Sequence, residues 1–555
     1  MMNVTAREKI EAGETHLRLV APAANLAYSA VTRNALDRAK IALVWEGAGG
    51  ARQVFSFFEI EQTSNRIANV LIKSGVEKGD RVFTLLNRRP ELYAAIPAIL
   101  KTGAAAAVLF TDFGAEAIRQ RVADAGAKVL IIEAENLKKI IPICEFLPTL
   151  KHILVIGEFD SKIIPKCPAR FHDFNNLVET ASAEFAAVEV SPDDTCFLIY
   201  TSGTTGLPKG VVHRHAIRER LIESAKSVLA LEKDDFYWCS ADAGWVTGLL
   251  YGIFAPWLLG FPILIYEGEF EAARWLEILN RNQVTCFYTT PTLLRLLRNE
   301  IGEISPKKEF ALRRIYSVGE PLNPEVSVWA ERTFGAQVFD SYWQTETGSF
   351  IIANSPRIEK MRGAMGKAVE GVEVAIIDQH GEEVPNNVIG DIAIRPTLTS
   401  LFKGYWNFPE ATRTCFRAGW YITRDKGRRD DDGYFWFMAR SDDVITCEAQ
   451  RIGPFEVENA LLSHPAIAES AAVGAKDEMT TEHVKAFIVL RKDFAASAQL
   501  AHEIAAHVRS QLSSLAAPRE IEFCDDLPKT KSGKIRRDQL RRKGTSNAEK
   551  VYVIR

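Results

Sequence analysis

Short apolar segments alternate with amphipathic helical segments along much of the chain, and this alternation limits the fold more than any other feature of the sequence. A strand pattern at 82–86, a helix opening at Pro90 and a strand pattern at 106–110 lead to a helix at 115–125 and a strand at 129–132. The alternation resumes at 196–200, 262–266, 284–288 and 314–318. Because helices must cover such strands on both faces, we expect an α/β domain of parallel sheets.

The pattern changes toward the C-terminus. After about residue 381 it becomes short strands and turns, which predicts a small β-rich subdomain. Further on, a helix opening at Pro454, strands at 471–473 and 486–490 and a helix near 501–512 predict a compact α+β unit. A chain of 555 residues is long enough for two or three cores. We therefore predict an N-terminal domain at 1–438, a hinge at 439–443 and a small, mobile C-terminal domain at 444–555.

Charge and cysteine content exclude several classes of protein. The 68 basic and 71 acidic residues leave a net charge of −3, which offers no excess of positive charge to nucleic acid. The eight cysteines form no CxxC pair, so we expect neither a zinc knuckle nor a disulfide framework. We therefore expect a reducing cytoplasmic setting.

The N-terminus lacks the pattern of a signal peptide. The uncharged segment 243–266 could span a bilayer, but its glycines and prolines favour a buried helix, turn and strand. We expect no membrane or nucleic-acid partner, and a monomer or homodimer.

The segment YTSGTTGLPKG at 200–210 carries the strongest chemical signal. It follows an apolar strand, and its glycines and hydroxyl residues form a loop that can surround phosphate oxygens, with Lys209 adding positive charge. It is not a Walker loop, because no GK[ST] ends it. A lone Gly/Thr loop is usually plain surface, whereas this arrangement is more specific. The candidate phosphate-binding residues are Thr201, Ser202, Gly203, Thr204, Thr205 and Gly206.

Together with ADAGWVTG at 241–248, SVGEPL at 317–322 and DSYWQTETG at 340–348, this loop resembles the motifs of the adenylate-forming superfamily. That superfamily includes acyl-CoA synthetases, luciferases and peptide-synthetase adenylation domains, and the resemblance covers nearly the whole chain. Within it, the sequence is most similar to AMP-forming acetyl-CoA synthetases of the shorter bacterial type. The resemblance implies that ATP and a carboxylate form acyl-AMP and pyrophosphate, and that the acyl group then passes to coenzyme A.

The same resemblance assigns the nucleotide site. Glu346 beside a hydroxyl residue can hold Mg²⁺, which prefers oxygen ligands and is usually bound together with phosphates. The resemblance implies that Asp425 accepts both ribose hydroxyls and that Arg440 contacts the nucleotide, although Arg424 stands where the family usually has glycine. The remaining implied nucleotide contacts are Gly319, Glu320, Pro321, Asp340, Ser341, Tyr342, Trp343, Gln344, Thr345 and Arg451.

Catalysis is expected to involve the C-terminal domain. The segment PKTKSGKIRR at 528–537 resembles the family's catalytic loop, in which Lys534 would bridge the carboxylate and the α-phosphate. The resemblance makes Asp442 the hinge about which the domain rotates between the two half-reactions. Without the family context, both segments would be interpreted as ordinary charged surface.

The acid is expected to be short. A small residue before the Gln-Thr-Glu run opens a long acyl tunnel in the family, whereas Trp343 would fill it, as in acetyl-CoA synthetases. With Trp245, Val246, Thr247 and Val318, it predicts a pocket for acetate or propionate. The alternative is that Trp343 is simply a core residue, which is compatible with lining the pocket wall.

The predicted CoA site departs from the family pattern. Its candidate residues are Thr247, Glu448, Ala449 and Arg509, and Ala449 stands where the family has a glycine beside the pantetheine tunnel. This departure leaves open an enzyme that passes its acyl group to a carrier-protein thiol or an amine. An inactive nucleotide-binding relative is a further alternative. The intact set of Lys209, Glu346, Asp425, Arg440 and Lys534 argues against that alternative.

Overall fold

The computed structural model describes residues 24–160, 167–202, 208–302, 310–441, 443–447, 450–477, 481–529, 535–542 and 551–554, without the side chains of residues 202, 446, 450, 451, 477 and 481. Its strands, numbered along the chain, are β1 (Ile41–Gly47), β2 (Arg52–Ser56), β3 (Arg81–Leu85), β4 (Ala105–Val108), β5 (Val129–Glu133), β6 (His152–Ile156), β7 (Arg170–Asp173), β8 (Thr195–Ser202), β9 (Pro208–Arg214), β10 (Tyr237–Cys239), β11 (Ile263–Glu267), β12 (Cys286–Thr289), β13 (Arg314–Val318), β14 (Gln337–Tyr342), β15 (Ile352–Ala353), β16 (Lys367–Ala368), β17 (Val374–Ile377), β18 (Gly390–Ile394), β19 (Gly404–Tyr405), β20 (Phe416–Arg417), β21 (Trp420–Arg429), β22 (Phe435–Arg440), β23 (Ile445–Cys447), β24 (Gln450–Ile452), β25 (Ile467–Asp477), β26 (Thr481–Leu490), β27 (Glu520–Phe523) and β28 (Val551–Val553).

The α-helices are α1 (Phe57–Lys73), α2 (Pro90–Lys101), α3 (Ala115–Ala125), α4 (Leu137–Ile140), α5 (Phe174–Thr180), α6 (Ile217–Ser224), α7 (Val246–Leu249), α8 (Ala255–Leu259), α9 (Ala272–Arg281), α10 (Pro291–Ile301), α11 (Pro324–Phe334), α12 (Pro409–Arg413), α13 (Pro454–Leu462), α14 (Ala498–Gln511) and α15 (Arg537–Arg542). Short 3₁₀- or π-helical segments lie at Tyr28–Thr32, Asn34–Leu36, Ala134–Asn136, Ile141–Phe146, Ala225–Leu229 and Leu250–Phe254. Local sequence explains several boundaries. For example, α1 begins in a capping box in which Ser56 and Glu59 satisfy each other's backbone amides.

Two large sheets form the N-terminal part of the fold. One has eight strands in the order β19-β9-β8-β4-β3-β5-β6-β7, and the other has nine in the order β16-β15-β14-β13-β12-β10-β11-β1-β2. Their central strands are parallel, whereas β9, β19, β2, β15 and β16 add antiparallel edges. The predicted α/β architecture of parallel sheets is therefore confirmed.

Two smaller sheets complete the fold. Strands β17, β18, β20, β21 and β22 form an antiparallel five-stranded sheet, which is the predicted β-rich subdomain. A six-stranded sheet built from β23 to β28 packs with α13 and α14 into a separate hydrophobic core. The predicted small α+β C-terminal domain is confirmed.

The segment 243–266 is folded into the core. It forms α7, a π-helical turn, α8 and the start of β11, and most of its residues are buried. In the described part of the chain, no helix is long and apolar enough to cross a membrane. The expected buried helix, turn and strand are confirmed.

One expectation about the cysteines was wrong. Cys144 and Cys167, which are 23 residues apart, are joined by a disulfide. Spacing along the chain reveals local CxxC pairs, but the fold brings these two cysteines together from separate segments. Among the described residues, no cluster of three or more His, Cys, Asp or Glu side chains could hold a metal ion.

Candidate active site

The candidate site begins where β13 and β14 end. These neighbouring strands are parallel, with Val318 opposite Ser341, so the segments that follow them emerge at the same edge of the sheet. Gly319 has φ +89°, a left-handed conformation that favours glycine. Glu320 accepts hydrogen bonds from Thr292 Oγ1 (2.7 Å) and Arg295 (2.8 Å), which fixes the turn that continues into Pro321.

A compact turn follows β14 and presents Gln344, Thr345 and Glu346. Gly348 N donates to Gln344 O (3.2 Å), and His213 Nε2 donates to Thr345 O (2.8 Å). Burial lowers the pKa of His213 to about 4, so its ring is neutral at pH 7. A Cβ at Gly348 would lie 2.6 Å from Ser400 O, and φ there is +62°, so glycine is required for this turn.

Asp425 connects three of the predicted nucleotide residues. Its Oδ2 accepts hydrogen bonds from Tyr342 Oη (2.5 Å) and Gln344 Nε2 (2.7 Å). Its Oδ1 lies 3.1 Å from an Arg440 guanidinium nitrogen, in an ion pair across the β21–β22 ladder. Tyr421 Oη in turn donates to Gln344 Oε1 (2.9 Å). Residues from β14, β21 and β22 thus meet around one buried carboxylate.

Lys209 and Glu346 both contact the side chain of Tyr405. Lys209 lies near the start of β9, and its ammonium is 5.3 Å from the centroid of the Tyr405 ring. The Tyr405 hydroxyl donates to Glu346 Oε1 (2.7 Å). The half-buried Glu346 carboxylate beside the Thr345 hydroxyl is a hard oxygen donor, so these residues fit a Mg²⁺ ion that is also bound by phosphates.

Trp343 is packed in a cluster of aromatic rings. Its indole Nε1 donates to Tyr288 Oη (3.1 Å), and its ring lies 5.0 Å from that of Tyr251 and 6.0 Å from that of Phe350. Only 7% of Trp343 is exposed. Its ring is therefore held rigidly directly after β14.

The other predicted acyl-pocket residues lie around the start of α7. Val246 and Thr247 are buried, Trp245 is half-buried, and Val318 is buried at the end of β13. Thr247 Oγ1 is buried without a hydrogen-bond partner among the described residues. A Cβ at Gly248 would lie 2.0 Å from Asp242 O, so this close turn requires glycine.

Asp340 and Ser341 belong to the last strand positions before Trp343. Burial raises the pKa of Asp340 to about 8, although Ser341 N donates to its Oδ1 (3.0 Å). Ser341 Oγ donates to Ser317 O (2.7 Å), which ties β14 to β13. These contacts stiffen the sheet edge that bears the site.

Arg424 occupies the expected glycine position in a strained conformation. Its φ is +61°, a region that favours glycine, and Ser441 N donates to its carbonyl oxygen (2.9 Å). The departure from the family pattern therefore affects the backbone directly beside Asp425.

Several predicted residues cannot be located in the site. Gly203, Thr204, Thr205, Gly206, Asp442, Glu448, Ala449 and Lys534 lie outside the described residues. Ser202 and Arg451 are described as backbone only, while Thr201 pairs with Lys209 across β8 and β9. Arg509 is exposed in the last turn of α14.

The two domains touch near the site. Asn323, at the start of α11, donates through Nδ2 to Asn459 Oδ1 of α13 (2.5 Å), and the rings of Phe437 and Phe455 are 6.0 Å apart. On the C-terminal side, Arg537 forms a bidentate pair with the buried Glu458 (2.7 and 2.8 Å).

Four residues of the site escaped the sequence analysis: His213, Tyr288, Tyr405 and Tyr421. Each contacts a predicted residue, but each comes from a distant segment. Of these four, Tyr405 has a hint in the sequence, which is the glycine that precedes it. In the structure Gly404 has φ +144°, a conformation that favours glycine.

Known proteins resemble this chain in sequence and in fold. A family described as AMP-binding enzyme matches residues 31–406, and one described as AMP-binding enzyme C-terminal domain matches residues 456–534. An acetyl-coenzyme A synthetase of Bacillus subtilis strain 168 is 42% identical over 93% of this chain and 90% of its own length.

Two solved structures extend the likeness to three dimensions. A Brucella canis acyl-CoA synthetase has 36% identity and a TM-score of 0.73, covering 93% of this chain and 94% of its own. The anthranilate CoA ligase AuaEII, solved with anthranoyl-AMP, has 28% identity and a TM-score of 0.86, covering 95% of this chain and 98% of its own.

Proposed function

This chain belongs to the AMP-binding enzyme family as an AMP-forming acyl-CoA synthetase, and we propose that its acid is a short one such as acetate or propionate. ATP and CoA are its co-substrates. One observation carries the assignment to ATP-dependent adenylation: Gln344 and Arg440 both contact Asp425. The turn that contains Gln344 also presents Glu346, which contacts the same tyrosine side chain, Tyr405, as Lys209 does.

The first half-reaction follows from the chemistry of the acid. A carboxylate is a poor acyl donor, because its leaving group would be an oxide ion. Attack of its oxygen on the α-phosphorus of ATP expels pyrophosphate and leaves an acyl-adenylate, whose leaving group is AMP. Binding, orientation and charge stabilisation supply most of the acceleration in such transfers.

The residues of this chain would divide that work. Asp425 would receive the ribose hydroxyls, Lys209 would lie against the phosphates, and Glu346 would hold Mg²⁺. When bound, Mg²⁺ neutralises negative charge on the phosphate oxygens. Gly319, Glu320 and Pro321 form a rigid wall suited to the adenine base.

The aromatic cluster supports a short acid. Trp343 is fixed by Tyr288 and packed against Tyr251, so it cannot turn aside without losing a buried hydrogen bond. A fixed indole at this position would form the floor of a pocket for two or three carbons. The name of the Bacillus subtilis relative, an acetyl-coenzyme A synthetase, agrees with this pocket size.

We propose the same domain roles as the sequence implies: an N-terminal domain at 1–438, a hinge at 439–443 and a C-terminal domain at 444–555. In support, β22 ends the five-stranded sheet at Arg440, and β23 begins the C-terminal sheet at Ile445. Lys534 would act in adenylation, and rotation about Asp442 would then present the thiol to the adenylate. A cytoplasmic location, a monomer or homodimer, and the lack of nucleic-acid and membrane partners remain predictions.

A panel of carboxylic acids tests the proposal. We expect rapid AMP release with acetate and propionate, declining steadily toward eight carbons, and only when CoA is present. Equal rates with long acids would contradict the short pocket. AMP release independent of CoA, with no thioester formed, would point to another acyl acceptor.

A further inference from the structure

Strand β19 lies against both ATP-binding motifs of the chain. Gly404 and Tyr405 pair with Val212 and Val211 of β9, and Trp406 N donates to Gly210 O (2.7 Å), directly beside Lys209. On the same segment, Phe402 N donates to Glu346 O (2.8 Å). The backbone thus joins the end of the phosphate loop to the Gln-Thr-Glu turn.

The Tyr405 side chain makes the same connection with charged groups. Its hydroxyl donates to Glu346 Oε1 at 2.7 Å, and its ring lies 5.3 Å from the Lys209 ammonium. Among the ion pairs of the described residues, none joins Glu346 to Lys209, and each of the two contacts Tyr405 instead.

Local structure fixes this tyrosine from behind. Tyr405 N donates to Thr412 Oγ1 (2.9 Å), and a Cβ at Gly404 would lie 3.1 Å from the Thr412 side chain. Glycine at 404 therefore lets β19 lie close to α12. A ring held in this way can orient both neighbours.

We propose that Tyr405 is a positioning residue that holds the Glu346 carboxylate and the Lys209 ammonium apart, each set for Mg·ATP. This rests on the proposed function, because it assumes that Glu346 holds the metal and Lys209 the phosphates. An ion pair between these two opposite charges would have to be broken before ATP could bind, whereas Tyr405 gives each charge a separate partner. The hydroxyl occupies one carboxylate oxygen and leaves the other available, while the face of the ring attracts the ammonium without neutralising it.

Two variants separate the two contacts. Tyr405→Phe removes the hydroxyl and keeps the ring, whereas Tyr405→Leu removes both. Tyr434→Phe is the matched control, because its hydroxyl donates to Glu359 O (2.6 Å), away from the site. Isothermal titration calorimetry of the full chain measures binding of ATP with MgCl₂ and of ATP with EDTA.

For Tyr405→Phe we expect the Kd of ATP with MgCl₂ to rise about tenfold, as for the loss of a hydrogen bond to a charged group, and the Kd of ATP with EDTA to stay unchanged. Tyr405→Leu should in addition weaken binding of ATP with EDTA. In both variants, conversion of supplied acetyl-AMP and CoA to thioester should keep the wild-type KM for CoA.

The inference is overturned if Tyr405→Phe binds both forms of ATP like the wild type, or weakens both equally. It is also overturned if Tyr434→Phe behaves like Tyr405→Phe. If Tyr405→Leu fails to fold, the phenylalanine variant still decides the question. Failure of the proposed function would be distinct, because the wild-type enzyme itself would then bind no ATP and release no AMP with short acids.

Discussion

At the scale of single residues, Trp343 is a packed core side chain to which we also assign a proposed role in selecting the acid. Its hydrogen bond to Tyr288 satisfies the indole N–H, which would otherwise be buried alone, while the Tyr288 hydroxyl also bonds to Ser341 Oγ. Its edge contact with Tyr251 fixes the ring plane. Replacing it would change the pocket and the core together, so any test has to separate the two effects.

We predict that Trp343→Gly shifts preference from acids of two or three carbons toward longer ones. Each added methylene should contribute about 1–3 kcal/mol to binding, so the shift should be graded. Measuring kcat/KM for acids of two to eight carbons checks this. Trp275→Leu, in the separate core cluster around α9, controls for loss of a buried tryptophan. An unchanged chain-length profile would show that Trp343 does not limit the pocket.

Arg424 is the residue whose backbone is least suited to its type. A non-glycine residue at φ +61° carries strain of about 1 kcal/mol or more. We predict that Arg424→Gly raises the free energy of unfolding by about 1 kcal/mol.

Thermal unfolding monitored by circular dichroism provides the measurement. The matched control is Arg428→Gly in the same strand, where φ is not left-handed and glycine should destabilise. If both variants lose stability, then Arg424 contributes contacts that outweigh its backbone strain.

At the scale of elements, the residues on the two sides of the segment that bears Lys534 contact each other. Lys529 and Ile535 form a β-bridge, and Arg536 N donates to Pro528 O (2.8 Å). The outer anchors are ion pairs of Lys529 with Glu469 (2.8 Å) and of Arg537 with Glu458 (2.7 Å). The ends of the segment are therefore fixed to the C-terminal domain.

We predict that Lys534→Ala lowers acid-dependent pyrophosphate release about 10²–10³-fold, as for loss of a preorganised charge. The same variant should still convert supplied acyl-AMP and CoA to thioester at the wild-type rate, because the proposed mechanism uses Lys534 only in adenylation. Lys531→Ala serves as the control on the same segment. A parallel loss of both half-reactions would refute this role.

The sequence predicted elements far better than their assembly. The helix at 115–125 and the strand at 314–318 were predicted with the bounds that α3 and β13 have, because their apolar periods are local. That β8 and β13 belong to different sheets has no local signal.

The same limit applied to the site. Asp425 stands in a motif, and the structure places it beside the predicted Gln344 and Arg440. Glu346 also stands in a motif, but its partner Tyr405, like Tyr288 beside Trp343, comes from a distant segment through long-range packing.

At the scale of the whole molecule, stability should depend on pH through three buried groups. Burial lowers the pKa of His213 and His215 from 6.5 to about 4 and raises the pKa of Asp340 from 3.8 to about 8. Between about pH 4 and 6.5 the unfolded histidines bind protons that the folded ones do not, so stability rises with pH. The folded Asp340 binds a proton that the unfolded one has lost, so stability falls with pH up to about 8.

We therefore predict that stability rises to a maximum near pH 6.5, where the two histidines have outweighed Asp340, and then declines toward pH 8. The decline should have a slope of at most about 1.4 kcal/mol per pH unit, the value for one proton. Melting temperatures between pH 4 and 9 give the profile. Asp340→Asn should abolish the decline, while Asp193→Asn, at an exposed carboxylate, should leave it. A decline that persists in Asp340→Asn would assign it to another group.

The contact between Asn323 and Asn459 joins the two domains in one arrangement. If the C-terminal domain rotates between half-reactions, this contact must break in every cycle. We predict that an Asn323→Cys/Asn459→Cys variant, bridged by a short bifunctional thiol reagent, loses one half-reaction and keeps the other. With a bifunctional methanethiosulfonate, which links the two cysteines through disulfide bonds, reduction of the bridge should restore turnover. The single variant Asn459→Cys is the control, and full turnover of the bridged enzyme would exclude the rotation.

The order of strands in the nine-stranded sheet has a consequence for how the chain is made. β1 pairs in parallel with β11, so Leu43 meets Ile263 more than two hundred residues later. At about 5–20 residues per second, a ribosome needs roughly 10 to 45 s to supply that partner. During this interval the apolar strand Ile41–Gly47 leaves the ribosome without its parallel neighbour and is paired along one edge only, with the hairpin partner β2. The newly made N-terminal segment is therefore a natural substrate for chaperones that shield apolar strands during translation.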